Sequence, residues 1–318
     1  MIETVKTEFE QAVLNGLGSN PKFLSSKYFY DAEGDKLFQQ IMACPEYYLT
    51  RCELEIFSQQ TAALAYEILR KQNNFDIVEL GPGDATKSIY LLQHLKKQGL
   101  NFTYYPVDIS KNIVHDLEET LPKQIAGLKV HGLNGEYLEM LKAANQHSQK
   151  AKLVLFLGSN IGNFSPEEAV WFLKSVHKQL RPGDLLLMGV DLKKNPKQIL
   201  AAYNDKGGIT LAFNLNLLER INRELQAGFD IAAFDHYPTY NPVTGACRSY
   251  LVSLKKQQVR IGGRTIAFLP YEPVYVELSQ KYAVAEIDDM ALQTGFKPLS
   301  HFYDSQGWFL DALWEKSQ

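Results

Sequence analysis

Between Phe75 and Val190 short apolar runs alternate with amphipathic stretches, and this alternation constrains the fold more than any other feature of the chain. Phe75–Leu80, Phe102–Val107, Leu128–His131, Lys152–Leu157 and Asp184–Val190 read as strands. The stretches Thr86–Lys97, Lys111–Leu121, Glu136–Gln146 and Pro166–Leu180 read as the helices between them. Strands this apolar need cover on both faces, so right-handed βαβ crossovers and a parallel sheet follow. After Asp191 the pattern changes. Lys193–Tyr203 and Leu211–Glu224 read as helices, and Phe229–Leu278 reads as a mostly β meander broken by turn signals at Asn241, Thr244 and Gly262. The tail reads as a helix, Ile287–Thr294, and a hairpin of Pro298–Tyr303 and Trp308–Trp314 joined by Asp304-Ser-Gln-Gly307. One α/β domain interrupted at about 194–280 is the simplest organisation. The first 50-odd residues, a helix and an irregular aromatic stretch, are expected to pack with that insertion.

Glu79-Leu-Gly-Pro-Gly-Asp84 stands where the first strand gives way to the first helix. Gly81 and Gly83 suit a sharp turn that a cofactor approaches without meeting a Cβ. A dinucleotide fingerprint wants a third glycine three residues on; Thr86 is there instead, and Pro82 removes an amide that would cradle a pyrophosphate. Glu79, an acid before the loop, suits a neutral or cationic ligand better than a phosphate. S-adenosylmethionine, with its sulfonium, ammonium and single carboxylate, is such a ligand. Asp108 ends the second strand, where an acid accepts both ribose hydroxyls, the plainer alternative being a cap for the helix from Lys111. Gly135-Glu136-Tyr137 offers acidic or aromatic contact to an adenine, and Lys87 can reach a methionyl carboxylate. A terminal hairpin after the βα series is typical of the methyltransferase version of this sheet. A nicotinamide-dependent oxidoreductase remains the reading from a different class.

Composition excludes several other classes. The chain is 45% apolar and 22% charged, which is globular rather than disordered, and its longest apolar runs are far short of a membrane span. With 33 basic and 36 acidic residues and no dense Lys/Arg cluster, it carries no footprint for nucleic acid. Three cysteines, Cys44, Cys52 and Cys247, have no recurrent spacing, as expected in a reducing compartment. The first ten residues show no apolar leader, so the cytoplasm is the expected location. No HxxxH or HExxH pattern suggests a metal, and no obligatory protein partner is evident.

Two segments go beyond generic fold signals. One is Lys27-Tyr-Phe-Tyr-Asp31 with Leu37-Phe38 and Pro45-Glu-Tyr-Tyr-Leu-Thr-Arg51; the other is Phe156-Leu-Gly-Ser-Asn-Ile-Gly-Asn163. With Ala201-Ala-Tyr203, Ala212-Phe-Asn214, Asn222-Arg-Glu-Leu225 and Glu277-Leu-Ser279, they make nearly the whole chain resemble the L-histidine Nα-methyltransferases. Enzymes of that family make histidine betaine (hercynine) on the route to ergothioneine. The resemblance implies an α/β fold: a Rossmann-like class I methyltransferase sheet with a terminal β-hairpin, plus a second α+β substrate-binding domain formed by the insertion and the N-terminus. It divides the chain into 55–193 with 281–318 for S-adenosylmethionine, and 1–54 with 194–280 for a small-molecule amino-acid substrate.

Residue by residue, the resemblance implies that Asn163 and Tyr203 clamp the substrate's α-carboxylate. Glu277 and Ser279 read the imidazole, Tyr47 walls that pocket, and Tyr30 lies near the amine and the methyl group. Gly81, Lys87, Asp108 and Glu136-Tyr137 surround the cofactor, with Glu136 standing where the family often has Asp. Ser249, in Arg248-Ser-Tyr-Leu251, aligns where reference members carry a bulky thioether against the imidazole. A smaller hydroxyl there enlarges the pocket or adds a hydrogen bond, which leaves another amino acid or a histidine derivative open as substrate. Glu, Ser, Asn and Tyr are suitable partners for a small, strongly hydrated zwitterion, because each replaces water with a fixed donor or acceptor. Taken alone, Asn163 can also simply begin a helix, and Glu277 can be a solvent-facing strand residue.

Overall fold

The computed structural model describes residues 7–317; residues 1–6, which carry much of the stretch bearing on a leader, and residue 318 lie outside that set. The chain begins with α1 (Glu8–Leu17), β1 (Lys22–Phe23), α2 (Ala32–Ala43) and α3 (Tyr48–Lys71). The alternating part holds β2 (Phe75–Leu80), α4 (Ser88–Lys97), β3 (Thr103–Asp108), α5 (Lys111–Gln124), β4 (Lys129–Val130) and β5 (Leu133–Asn134). It continues through α6 (Tyr137–His147), β6 (Ala151–Phe156), α7 (Pro166–Gln179) and β7 (Leu185–Asp191). Next come α8 (Pro196–Ala202), α9 (Ile209–Leu225), β8 (Phe234–Tyr240), β9 (Ala246–Ser253), β10 (Gln257–Ile261), β11 (Arg264–Phe268) and β12 (Pro273–Gln280). The tail is α10 (Val284–Thr294), β13 (Phe296–Tyr303) and β14 (Phe309–Lys316).

Two compact units result: Met1–Tyr48 with Lys194–Ser279, here the insertion unit, and Leu49–Lys193 with Gln280–Gln318, here the sheet unit. The first division falls at the start of α3, six residues before the position expected from the sequence; a boundary at 54/55 would cut this 24-residue helix.

The sheet unit holds the expected, mostly parallel sheet with a terminal antiparallel hairpin. Its strands run in the order β13-β14-β7-β6-β2-β3-β4, with β5 also pairing β3. The β2, β3, β4, β5, β6 and β7 pairings are parallel, and the terminal hairpin β13–β14 joins antiparallel to β7. Every residue of β2 and β7 is buried, as continuously apolar strands covered on both faces require. Val78, Val107, Val154, Phe156, Leu186 and Trp314 belong to one core cluster with Phe172 of α7 and Ile287 of α10. From β2 the chain builds outward to β3 and then β4, and afterwards returns to the other side of β2 as β6. That reversal opens a crevice at the carboxyl ends of β2 and β6, where ligands of open α/β sheets bind.

Local chemistry sets the element ends. Helix α4 begins at Ser88 rather than Thr86, because the Thr86 N–H donates to Asp84 Oδ1 (3.0 Å) and Ala85 is left-handed (φ +56°). Helix α7 has a capping box: Glu168 N–H donates to Ser165 Oγ (3.3 Å), while Ser165 N–H donates to Glu168 Oε2 (2.8 Å). Asn163 therefore does not begin that helix. Of the strand expected over Leu128–His131 only Lys129–Val130 pairs, as β4, and a second short piece, β5, follows it.

In the insertion unit the expected meander is a four-stranded sheet, β1-β12-β9-β8, and a separate hairpin, β10–β11. The N-terminal β1 adds to its edge, parallel to β12. Its core joins Phe9, Val13 and Leu17 of α1 to Phe213, Leu217 and Ile221 of α9 and to Leu251, Phe268 and Val276. Each of these helices presents its apolar residues at intervals of three or four, which is why one face is buried.

The insertion leaves after β7 and returns after β12, and within the sheet unit its two stems are tied. Lys281 Nζ meets Asp191 Oδ2 at 2.6 Å with both side chains fully buried. Leu192 and Tyr282 form a parallel bridge beside them. Breaking one half of a buried pair strands the other charge, at a cost of about 3–5 kcal/mol. Lys281→Met is expected to lower stability in urea denaturation by that amount, and the double variant D191L/K281M to regain most of it. A loss below about 1 kcal/mol in the single variant would show that the pair does not tie the stems.

Candidate functional site

The crevice at the switch point is lined by two turns that both use left-handed backbone. After β2 come Gly81 (φ +71°), Gly83 (φ +56°) and Ala85 (φ +56°); after β6 come Gly158 (φ +73°) and Ser159 (φ +57°). Such residues in consecutive turns concentrate where a ligand dictates backbone shape. A Cβ on Gly81 would lie 2.7 Å from the Tyr137 hydroxyl and 2.8 Å from Asn160 Nδ2, so only a hydrogen fits. At Gly83 nothing lies within 4 Å of that position, leaving open space over the turn. The turn thus brings Gly81 together with Tyr137 at the start of α6 and Asn160 from the turn after β6.

The remaining cofactor candidates are placed as follows. Asp108 ends β3, and its Oδ1 accepts the Ser110 N–H (2.8 Å); the cap of α5 is Ser110 itself. Glu136 is exposed at the N-cap of α6 and makes no side-chain capping bond. Burial first, then the nearby Asp108 and Glu136 charges, raise the Tyr137 phenol, which stays protonated. Lys87, just before α4, is ion-paired to Glu53 of α3. Glu79 is turned into the sheet: it is 2% exposed, and the Tyr104 hydroxyl donates to its Oε2 at 2.6 Å. An acid for diol hydroxyls, an ammonium for a carboxylate and a glycine turn without a phosphate-cradling amide at Pro82 together fit S-adenosylmethionine.

In the insertion unit the substrate candidates form a chain of contacts. The rings of Tyr30 and Phe38 are 5.6 Å apart, Phe38 and Tyr47 6.4 Å, and Tyr47 and Tyr203 6.4 Å. The Tyr203 hydroxyl then donates to Ser279 Oγ at 2.6 Å. Glu277, two residues before Ser279, is half-buried in β12. Ser249 is buried in a different strand, in β9 opposite Pro238 of β8 and on the strand face of the core residue Leu251. Asn163 is exposed at the end of the turn after β6, in the sheet unit.

Three contributors were not singled out from the sequence: Asn160, Glu53 and Tyr104. Asn160 lies inside the distinctive 156–163 segment, and that was a usable signal. No spacing links residue 53 to 87 or residue 104 to 79. Among the described residues no group of three or more His, Cys, Asp or Glu could hold a metal, and no helix is long and apolar enough to cross a membrane.

Burial pushes the Glu79 carboxyl up to about 7, against the lowering by Tyr104, Ser88 and Lys87. The folded state therefore holds this proton more tightly than the unfolded chain does. Its contribution to stability falls as pH rises from about 4.5 to 7. Relative to Glu79→Gln, the wild type is expected to lose on the order of 3 kcal/mol across that window, measured by denaturant melts at each pH. A pH-independent difference between the two proteins would contradict the assignment.

The model of the histidine-specific, S-adenosylmethionine-dependent methyltransferases matches residues 9–316. A histidine N-alpha-methyltransferase of Mycobacterium tuberculosis is 33% identical, over 93% of this chain and 91% of its own length. Ergothioneine biosynthesis protein 1 of Neurospora crassa is 32% identical over 89% of this chain, which spans 32% of that longer protein. An L-tryptophan methyltransferase of Psilocybe serbica is 29% identical, covering 89% of this chain and 86% of its own. The family resolves the two readings of the glycine turn in favour of S-adenosylmethionine over a nicotinamide cofactor. With a match running almost from end to end, this chain belongs to the histidine-specific, S-adenosylmethionine-dependent methyltransferases.

Proposed function

We propose that the protein methylates the α-amino group of free L-histidine, three times in succession, to give histidine betaine. The observation that carries this reading is the Tyr203–Ser279 hydrogen bond beside Glu277, a compact set of donors and acceptors flanked by Tyr47. Glu277 accepts one imidazole N–H, and Ser279 serves the other ring nitrogen. Tyr203 donates to the α-carboxylate, a role the family resemblance also assigns to Asn163. Tyr47 supplies an aromatic wall, and Tyr30, 40% exposed, offers its hydroxyl to the amine. Gly81, Gly83, Lys87, Asp108, Glu136 and Tyr137 hold the cofactor, with Glu79 buried beneath the turn.

S-adenosylmethionine supplies, when bound, a methyl group on a sulfonium, already a good leaving group for in-line displacement. The protein's contribution is then alignment and dehydration of the nucleophile. That nucleophile must be the neutral amine, whose conjugate acid has a pKa of roughly 8 or above. Tyrosine hydroxyls that accept or donate suffice to bind the neutral form, so no dedicated strong base is needed. Fixing the substrate at both carboxylate and imidazole leaves the amine free to turn between rounds.

A second reading has its own support. Ser249 is a small buried hydroxyl, and a relative bears the name of a tryptophan methyltransferase. Another amino acid or a histidine derivative is then the substrate, with the same reaction.

Mass spectrometry of an equimolar amino-acid mixture incubated with the protein and S-adenosylmethionine separates these readings. Histidine is expected to gain three methyls while the others remain unchanged; methylation of another amino acid with histidine untouched would overturn the substrate assignment. Glu277→Ala is expected to reduce kcat/KM for histidine by about a hundredfold, as loss of a charged hydrogen bond costs about 1.5–3 kcal/mol. Tyr30→Phe is expected to shift the pH dependence of kcat; an unchanged profile would remove the hydroxyl from the mechanism.

A further inference from the structure

Glu53 of α3, Lys87 before α4 and Asp311 of β14 meet inside the sheet unit. Both Glu53 oxygens accept the Gly158 N–H, at 2.8 and 2.9 Å, and the carboxylate also receives the Lys87 ammonium. A Cβ on Gly189 of β7 would lie 2.1 Å from Glu53 Oε1 and 3.1 Å from Asp311 Oδ1, so the two carboxyl groups crowd a single point. Both are 0% exposed. Neither Asp311 oxygen finds a hydrogen-bond donor among the described residues.

Two buried anions beside one cation would leave an uncompensated charge where water cannot reach it, and such pairs retain a proton instead. A protonated Asp311 has a hydroxyl to donate, and Glu53 is the acceptor beside it. Burial and then the Glu53 charge both act to raise the Asp311 carboxyl. Burial works against the Lys87 charge, yet Glu53 holds that ammonium above its ordinary value. The register partner of Asp311 on β13 is Phe302; Asp191 on β7 is closed by Lys281; Glu79 on β2 acts on Lys87.

We propose that Glu53 is the positioning residue for Lys87, and that Asp311 acts beneath it as a neutral acid hydrogen-bonded to Glu53. One internal proton then leaves Lys87 fixed on Glu53 alone, with its charge available to the cofactor's carboxylate. When that proton is lost, the second anion competes for Lys87 and opposes a third carboxylate nearby. The inference rests only on the cofactor assignment, which binding of S-adenosylhomocysteine to the wild type checks separately, and holds whichever amino acid is methylated.

The test is calorimetric affinity for S-adenosylhomocysteine across pH in the wild type, Asp311→Asn and Glu53→Gln. Asn keeps the shape and a donor, so D311N is expected to bind within about threefold of wild type at neutral pH. E53Q is expected to bind at least about tenfold more weakly. At alkaline pH the wild type is expected to weaken while D311N does not. If D311N loses affinity at neutral pH as E53Q does, or follows the wild-type pH profile, the neutral acid is excluded. Infrared difference spectra of unliganded wild type give a readout that does not depend on variants folding. At about pH 8.5, above the range where Glu79 titrates, a protonated carboxyl band is expected, and its absence would also overturn the proposal.

Discussion

A single hydrogen atom in place of a methyl group, at residue 81, lets the cofactor end of the sheet assemble. Tyr137 comes from the third βα unit and Asn160 from the turn after β6, and both polar tips converge on the Gly81 backbone. Any side chain there would have to displace one of them, and the backbone angle itself disfavours any residue but glycine. The topology explains why these groups can meet at all. The chain reverses direction across β2, so the turns after β2 and β6 face the same crevice, and the acid at the end of β3 completes its rim.

Charge is managed differently on the two sides of that turn. Within the sheet, Glu79 leans on Tyr104, Glu53 on Gly158 and Lys87, and Asp191 on Lys281, all buried. Buried charges of this kind add little net stability compared with apolar packing, yet each is costly to leave unpaired. They therefore act mainly as specificity devices, fixing which strand end or helix start lies where. Glu53 also holds Lys87, the residue proposed to meet the cofactor's carboxylate, so one buried acid serves both the packing of the sheet unit and the proposed cofactor site.

The sheet unit was largely legible in the sequence, because period and burial there say the same thing. Continuous apolar runs bounded by turn signals mark strands covered on both faces, and the hairpin of β13 and β14 announces itself through Asp304-Ser-Gln-Gly307. Where local chemistry overrides the pattern the structure departs from it: Ala85 and the Asp84 turn delay α4, and the strand expected over Leu128–His131 shrinks to β4, with β5 beyond it. The long α3 was not read as a helix, since Tyr48–Lys71 carries little amphipathic contrast. The insertion unit was harder, because β12 returns beside β9 instead of following β11, and no spacing encodes that. For the site, glycine and acid positions followed from backbone requirements, whereas Tyr30, Tyr47, Tyr203, Glu277 and Ser279 came from family resemblance. Glu53 and Asp311 were invisible, as their meeting depends on tertiary contacts between residues more than two hundred positions apart.

The glycine turn is the proposed seat of the cofactor, and S-adenosylhomocysteine affinity of Gly81→Ala, with circular dichroism to establish folding, tests that role most directly. Folded G81A is expected to lose at least about a hundredfold in affinity, since Tyr137 and Asn160 must move aside for the methyl group. Binding within about threefold of wild type would mean that the cofactor does not depend on this turn, and the crevice at the switch point would have to be given up as its site.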